Sequence, residues 1–440
     1  MKREIRKRRT VTDLKHAWPV LPPAERIRAF ERLPRAEAQD FFLGLDARGH
    51  AQILLTLPPA ERRLWMRSLA PDDAADCIQE APREAREALM ELLDEPTRKE
   101  VAALLAYAED DAGGLMNPRF ARVRPDLRVD EAISYLRREV AERVETIYYA
   151  YVLDAEQRLL GVVSFRELVT APPDKTVRDV MQTDFVAVRE ETDQEEVGRL
   201  LAEHDLMAIP VVDLEGRMKG IVSVDDIVDV VREEATEDIQ KIGGTQALEE
   251  PYLQVGLGRM IRKRGGWLSA LFVGEMLTAS AMGYFQEEIA RALVLALFVP
   301  LIISSGGNSG SQATTLVIRA MAIGEVRLRD WWRVMSREVG AGLALGSLLG
   351  GIGLARILLW QWAFHLYGEH YLLVALTVAA SLVGVVLWGT LAGSMLPFVL
   401  RRLGFDPANA SAPFVATLVD VSGIVIYFSM ASFILRGTLL

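Results

Sequence analysis

Asp420 lies inside the last apolar stretch of this 440-residue chain, within Ala412-Pro413-Phe414-Val415-Ala416-Thr417-Leu418-Val419-Asp420-Val421-Ser422-Gly423. A carboxylate at bilayer depth costs roughly 2.5–3.5 kcal/mol on insertion scales, so it faces a polar path or a partner. Two chemistries are open to it. One is a protonated acid hydrogen-bonded to a neighbouring helix, and the other is a cation site. Glu275, Asn308, Gln312 and Thr417 are further polar groups in apolar segments and are candidates to face the same path. The five histidines (His16, His50, His204, His365, His370) show no metal-ligand spacing on such a segment, and Cys77 is remote, which argues against capture of soft transition metals. A hard cation such as Mg²⁺ fits better. One carboxylate cannot strip Mg²⁺ of its waters, so a carboxylate with carbonyls would hold the hydrated ion. Two copies of the chain would place two Asp420 side chains around one axis, as a ring of carboxylates.

Half of the residues are hydrophobic while a quarter are charged, and the two characters separate along the chain at about residue 264. The net charge of −10 argues against a nucleic-acid partner. A single cysteine excludes an intrachain disulfide and suits a reducing compartment. The basic run Lys2–Arg9 is followed by no apolar core, so no signal peptide is expected and the charged part is expected to stay cytosolic. An enzyme is not indicated, since no nucleophile–base set or phosphate loop appears.

Five apolar segments, about 266–285, 292–318, 339–360, 371–399 and 412–436, are long enough to span a bilayer. Arg259, Arg262, Lys263 and Arg264 precede the first; Arg319, Arg327, Arg329 and Arg333 follow the second; Arg401 and Arg402 follow the fourth. The alternate loops are nearly free of basic residues, which predicts a cytosolic N-terminus and an external C-terminus in a multi-pass cell-membrane protein. Gly342, Gly346 and Gly350, and again Gly389 and Gly393, recur at intervals of four and predict close helix contacts. Pro300 through Gln312 carries so many polar and flexible residues that a broken, path-lining segment is expected there. Arg356 sits near a span end and is expected to snorkel to the interface.

In the charged part, Leu21-Pro22-Pro23-Ala24-Glu25-Arg26 recurs as Leu57-Pro58-Pro59-Ala60-Glu61-Arg62, an offset of 36 that predicts a stack of short, proline-started helices over 12–108. Asp72 and Asp76 share one helix face there; alone they read as a solvated helix start, with a cation role as the alternative. A βαββα unit then occurs twice. Tyr151-Val152-Leu153-Asp154 leads to Gly161-Val162-Val163-Ser164, and Pro210-Val211-Val212-Asp213 leads to Gly220-Ile221-Val222-Ser223, each after seven residues. Helices Val129–Leu136 and Gln194–Glu203 precede these units, and Met116-Asn117-Pro118 and Met181-Gln182-Thr183 open them. The pattern is similar to a tandem pair of CBS domains, modules that often sense adenine nucleotides. Asp225 to Asp238 follows as a helix with a dense acidic face, to be neutralised either by cations or by basic partners.

With these residues in view, the chain resembles the MgtE family of magnesium channels, most specifically through Pro300 with Gly306-Gly307-Asn308-Ser309-Gly310-Ser311-Gln312 and Pro413 with Ala416-Thr417-Leu418-Val419-Asp420. The resemblance implies a multidomain fold: an all-α helical superhelix (10–115), an α/β tandem CBS pair (116–235), a long acidic connecting or plug helix with its linker (225–258) and a five-helix transmembrane bundle (264–440). It implies a homodimer in membrane lipid with the pore on its axis, importing Mg²⁺. Asp420 would bind the hydrated ion, with Asn308, Ala416 and Thr417 beside it and Glu275 as an additional candidate. It also implies that Mg²⁺ bridges the acidic faces of the cytosolic domains and closes the pore, through Asp72, Asp76, Asp226, Asp229, Glu234, Glu237 and Asp238. Some members bind ATP at the CBS pair. Two other readings stand beside it: a proton- or sodium-coupled carrier of divalent cations (Mg²⁺, Co²⁺ or Mn²⁺) using Glu275, and a membrane-anchored nucleotide sensor.

Overall fold

The computed structural model describes residues 14, 17–18, 21–143, 148–248, 252–253 and 255–439. His16 and the basic run Lys2–Arg9 lie outside them. The chain forms two compact units, one up to Glu233 and one from Glu234 onward.

The first unit opens with seven short helices, α1 (Pro23–Phe30), α2 (Arg35–Leu43), α3 (Ala47–Thr56), α4 (Pro59–Met66), α5 (Pro71–Glu80), α6 (Arg83–Met90) and α7 (Glu95–Leu104). Alternate helices pack on one another, α3 on α5 and α5 on α7. The repeated hexapeptides do start helices, with Pro22 and Pro58 at the N-caps of α1 and α4 and no side-chain cap at either. The terminal arginine of each motif turns back instead. Arg26 Nε donates to the Leu21 carbonyl at 2.9 Å, and Arg62 Nε to the Leu57 carbonyl at 2.7 Å. Arg86 repeats the contact on the Ala81 carbonyl at 3.0 Å, so Ala81-Pro82-Arg83-Glu84-Ala85-Arg86 is a third, degenerate copy. Each charge-assisted bond satisfies a carbonyl stranded before a proline-started helix.

After a short helix α8 (Ala112–Leu115), two three-stranded sheets follow. The first has β1 (Arg122–Val123), α9 (Val129–Arg143), β2 (Tyr149–Leu153), β3 (Leu159–Ser164) and α10 (Phe165–Thr170). The second has α11 (Val177–Val180), β4 (Val188–Arg189), α12 (Gln194–Glu203), β5 (Ala208–Val212), β6 (Met218–Ser223) and α13 (Val224–Ile242). The orders β1-β2-β3 and β4-β5-β6 are the same, with a parallel first pair and an antiparallel second pair. The opening segments are exchanged between copies. Asn117 bridges Ile221 on β6, with N–H to carbonyl distances of 2.8 and 3.0 Å, and Gln182 bridges Val162 on β3 at 2.8 and 2.9 Å. Gly161 and Gly220 make room for this, since a Cβ on either would stand 2.8 Å from the carbonyl of Gln182 or Asn117.

The second unit contains five long helices: α14 (Leu257–Tyr284), then, after the short α15 (Gln286–Arg291) and α16 (Leu293–Ala296), α17 (Val299–Ala322), α18 (Trp331–Phe364), α19 (Tyr371–Arg402) and α20 (Ala412–Ile434). Among the described residues four helical stretches are long and apolar enough to cross a membrane, Leu293–Ala322, Leu328–Phe364, Tyr371–Arg402 and Ala412–Ile434. α14 is helical over 28 residues but carries Arg259, Arg262, Lys263, Arg264 and Glu275 and is not among those four.

The expected break in the second apolar segment is absent, because α17 runs unbroken for 24 residues. Its glycines admit neighbours rather than interrupting the helix. A Cβ at Gly306 would lie 2.5 Å from Val385 and 2.8 Å from Val419, and one at Gly310 would lie 2.8 Å from Val415 and 2.9 Å from the Gly389 carbonyl. Gly389 and Gly393 in turn face the carbonyls of Gly306 and Gly310. Thr314 Oγ1 donates to the Gly393 carbonyl at 2.7 Å, a bond that spans the same contact. Gly342, Gly346 and Gly350 line the face of α18 that meets α19. Arg356 is exposed towards the end of α18. Its guanidinium stands over the rings of Trp360 (5.2 Å) and Phe298 (5.9 Å), with Nη1 3.5 Å from the Tyr367 hydroxyl, so aromatic faces hold the charge.

Adjacent glycines on α18 provide a test. A Cβ at Gly350 would sit 2.8 Å from the Ala379 carbonyl, whereas Gly351 faces open space. Gly350→Ala is expected to destabilise the detergent-solubilised protein by about 1–3 kcal/mol through overpacking. Gly351→Ala is expected to be neutral or slightly stabilising. Thermal unfolding followed by tryptophan fluorescence distinguishes the two, and equal effects would refute the packing assignment.

Candidate functional site

α17 and α20 run antiparallel and meet through small residues. Ser311 Oγ donates to the Ala412 carbonyl at 3.1 Å, and a Cβ on Gly307 would lie 3.5 Å from both Ala416 Cβ and Asp420 Oδ1. The glycine thus leaves the carboxylate its space. Ser411 caps α20, accepting from the Phe414 amide at 3.3 Å, and also accepts from Trp267 Nε1 at 3.2 Å, which ties the start of α20 to α14. Val415, Val419 and Gly423 turn into the core, while Ala416, Thr417 and Asp420 are half-buried.

α17 itself is two-faced. Ser309, Gly310, Ala313, Thr314 and Val317 are buried, whereas Ser304, Asn308, Gln312 and Thr315 form an exposed polar stripe at helical spacing. Asn308 Nδ2 reaches Ser304 Oγ at 3.4 Å along it. A polar stripe on an apolar helix is stable in a bilayer only where water or protein covers it. Of the predicted residues, Asp420 and Ala416 face Gly307 across the α17–α20 seam, and Asn308 lies on the exposed stripe of α17. Thr417 faces α14, where a Cβ on Gly274 would meet its Cγ2 at 3.0 Å, and Glu275 is exposed on α14.

A second locus lies in the first unit. Asp72 is not the solvated helix start that its position suggests: it is buried and accepts from Asn117 Nδ2 at 3.2 Å. Asp76 is half-buried. Burial first, then Asp73, Asp226, Glu109 and Glu233, push its carboxyl up to about 7. Asp226 is also pushed up to about 7 by burial, against hydrogen bonds from the Ser223 hydroxyl (2.5 Å) and amide (3.4 Å). Asp73 rises to about 6 through burial and Asp225. Asp73, Glu109 and Glu233 are members that the spacing argument missed; Asp73 adjoins Asp72 in the first turn of α5, and that adjacency was the available signal. Asp229 is exposed. Among the described residues no three His, Cys, Asp or Glu side chains converge closely enough to enclose a metal ion. These are like-charged faces rather than a finished cage.

The far end of α13 forms a third locus. Lys241 Nζ pairs with Glu237 at 2.6 Å and with Asp406 at 2.7 Å, and burial together with Asp406 raises Asp238 to about 6. Here a basic partner neutralises part of the acidic helix. The chain beyond folds back, with Leu248 N donating to Gln240 Oε1 at 2.6 Å and Lys263 Nζ to the Ala247 carbonyl at 2.5 Å.

The helical array, the paired CBS units and the apolar bundle define a multidomain, multi-pass membrane protein. The profile described as a divalent cation transporter matches residues 299–430, that of the MgtE intracellular N domain matches 10–110, and the CBS domain profile matches 112–174 and 177–233. The magnesium transporter MgtE of Thermus thermophilus is 42% identical over 428 residues, spanning 97% of this chain and 93% of its own. That of Bacillus subtilis is 30% identical, spanning 96% and 91%. A crystal structure of the cytosolic domain of the Mg²⁺ channel MgtE in complex with ATP is 43% identical, covering 50% of this chain and 90% of its own with a TM-score of 0.47. The chain belongs to the MgtE family, whose members are membrane transporters and not enzymes.

The raised carboxyls carry a pH signature. A group whose folded pKa lies above its unfolded value of 3.8 favours the fold at low pH and loses that contribution as pH rises through the folded pKa. Without divalent cations, the thermal midpoint of the first unit within the full chain should therefore fall between pH 4 and about 7–8. Millimolar Mg²⁺ should reduce that fall by screening the ionised faces. Calorimetry of the detergent-solubilised protein over this range checks both statements.

Proposed function

We propose that the protein conducts Mg²⁺ into the cell and is closed by Mg²⁺ on its cytosolic side. The observation that carries this reading is Asp420, a carboxylate half-buried among apolar helices beside the polar stripe of α17, with no ion pair to a basic residue among the described residues. In a low-dielectric bundle such a group is stabilised by a cation passing or resting beside it. A fully hydrated Mg²⁺ fits because carboxylate, hydroxyl and backbone oxygens are hard ligands that bind through its waters. Asp420, Asn308, Ala416 and Thr417 would line the path, and two subunits would close it around a shared axis. The exposed stripe on a single chain supports that arrangement, since a second copy would cover it. Five spans with the N-terminus cytosolic and the C-terminus external follow if α14 crosses too; its basic start favours the cytosolic side.

The same chemistry supports regulation. Asp72, Asp76, Asp226 and Asp229 of the first unit, and Glu234, Glu237 and Asp238 beyond, supply carboxylate oxygens that suit a hard divalent ion. Bound Mg²⁺ would relieve their repulsion and favour the closed state, while its loss would leave the faces apart. ATP at the CBS pair extends this reading. The Tyr151 hydroxyl, buried and without a hydrogen-bond partner among the described residues, is a polar group of that module which a bound ligand would satisfy.

Flux into proteoliposomes tests the proposal. Asp420→Asn is expected to lower Mg²⁺ uptake by at least about tenfold at normal expression and assembly. Raising Mg²⁺ on the cytosolic face should close the parent protein, and joint Asp76→Asn and Asp226→Asn substitution should flatten that dependence. Undiminished uptake in Asp420→Asn would reject the pore site, and parent flux indifferent to cytosolic Mg²⁺ would reject the sensor.

A further inference from the structure

We propose that Glu275 is a selectivity-determining residue of the ion path, a second carboxylate that holds divalent charge beside Asp420. The proposal rests on the pore reading above and extends it to a helix that reading does not require. α14 and α20 run parallel in a fixed register. A Cβ on Gly274 would meet Thr417 at 3.0 Å, and the rings of Phe285 and Phe428 stack at 5.2 Å. Both pairs give the same offset, 417 − 274 = 143 and 428 − 285 = 143. Glu275 is therefore level with Leu418, two residues short of Asp420, or about 3 Å along the axis at 1.5 Å per residue.

Glu275 and Asp420 thus stand at nearly one level on two helices that run side by side. Neither has an ion-pair partner among the described residues. Arg356, in the second half of α18, is engaged by Phe298, Trp360 and Tyr367. At the same level, the Thr278 hydroxyl is buried and has no hydrogen-bond partner among the described residues. By the same offset it stands one residue beyond Asp420, 278 + 143 = 421.

Two like charges at one depth in a poor dielectric repel strongly. A single bound proton relieves half of that charge. A hydrated divalent cation relieves all of it, and its outer waters can donate to carboxylates and to an orphan hydroxyl. A pair of carboxylates thereby favours Mg²⁺ over Na⁺, for which one carboxylate is already a full counter-charge.

The test compares the full chain with Glu275→Gln and Glu275→Ala in proteoliposomes, with Asp420→Asn alongside. Glu275 is exposed and Ala and Gln are good helix formers, so both variants are expected to elute as the parent does. If the inference holds, the half-saturating external Mg²⁺ rises about tenfold in both neutral variants, and Na⁺ current rises relative to Mg²⁺ current. Neutral variants that keep the parent half-saturation and the parent Na⁺/Mg²⁺ ratio, while Asp420→Asn loses flux, overturn the inference and leave the pore reading standing. Unchanged flux in Asp420→Asn overturns the pore reading itself.

Discussion

The close approach of α17 to α19 and α20 is the constraint on which the membrane unit depends. Gly306 and Gly310 let the helix lie against Val385, Val419, Val415 and the Gly389 backbone, and Gly389 and Gly393 return the contact. Apolar attraction between helices is weak in lipid, so intimate van der Waals contact and bonds such as Thr314 to Gly393 hold them together. That contact turns one face of a serine- and glycine-rich segment into core and leaves its polar stripe outward. It also brings Gly307 opposite Ala416 and Asp420. The chemistry at Asp420 is thus a product of backbone packing.

Like charge is the second theme. Asp76 and Asp226 both lie near others of their sign in the first unit, and their carboxyls rise to about 7 as a result of burial and those neighbours. At the end of α13 the outcome differs, because Lys241 bonds Glu237 and Asp406 directly. The chain therefore carries both acidic groups with a built-in counter-charge and acidic groups packed beside others of their own sign.

Local signals in the sequence were reliable guides. The proline-started helices, both βαββα units and the helix that carries Asp420 were legible because each depends on neighbours close in the chain. What could not be read depended on partners far away. Pro300 through Gln312 looked like a broken helix because its glycines are favourable only once Val385 and Gly389 are known to lie against them. Asp72 looked solvated because Asn117, 45 residues on, is what receives it. The degenerate third arginine motif was hidden for a different reason. Its function lies in a side-chain bond to a carbonyl, which tolerates Ala81 where the other copies have leucine.

The exchange of opening segments in the CBS pair has a structural corollary. Asn117 completes the sheet of the second copy and Gln182 completes that of the first, so neither repeat owns all of its own edge. An excised single repeat would expose an unpaired strand and invite association with another chain. The duplicated units therefore constitute one indivisible cooperative element. They open or melt together, and Asn117, which also bonds Asp72, joins that element to the acidic face of α5. A disturbance at either copy therefore reaches the carboxylates through Asn117 and through Ser223, which bonds Asp226.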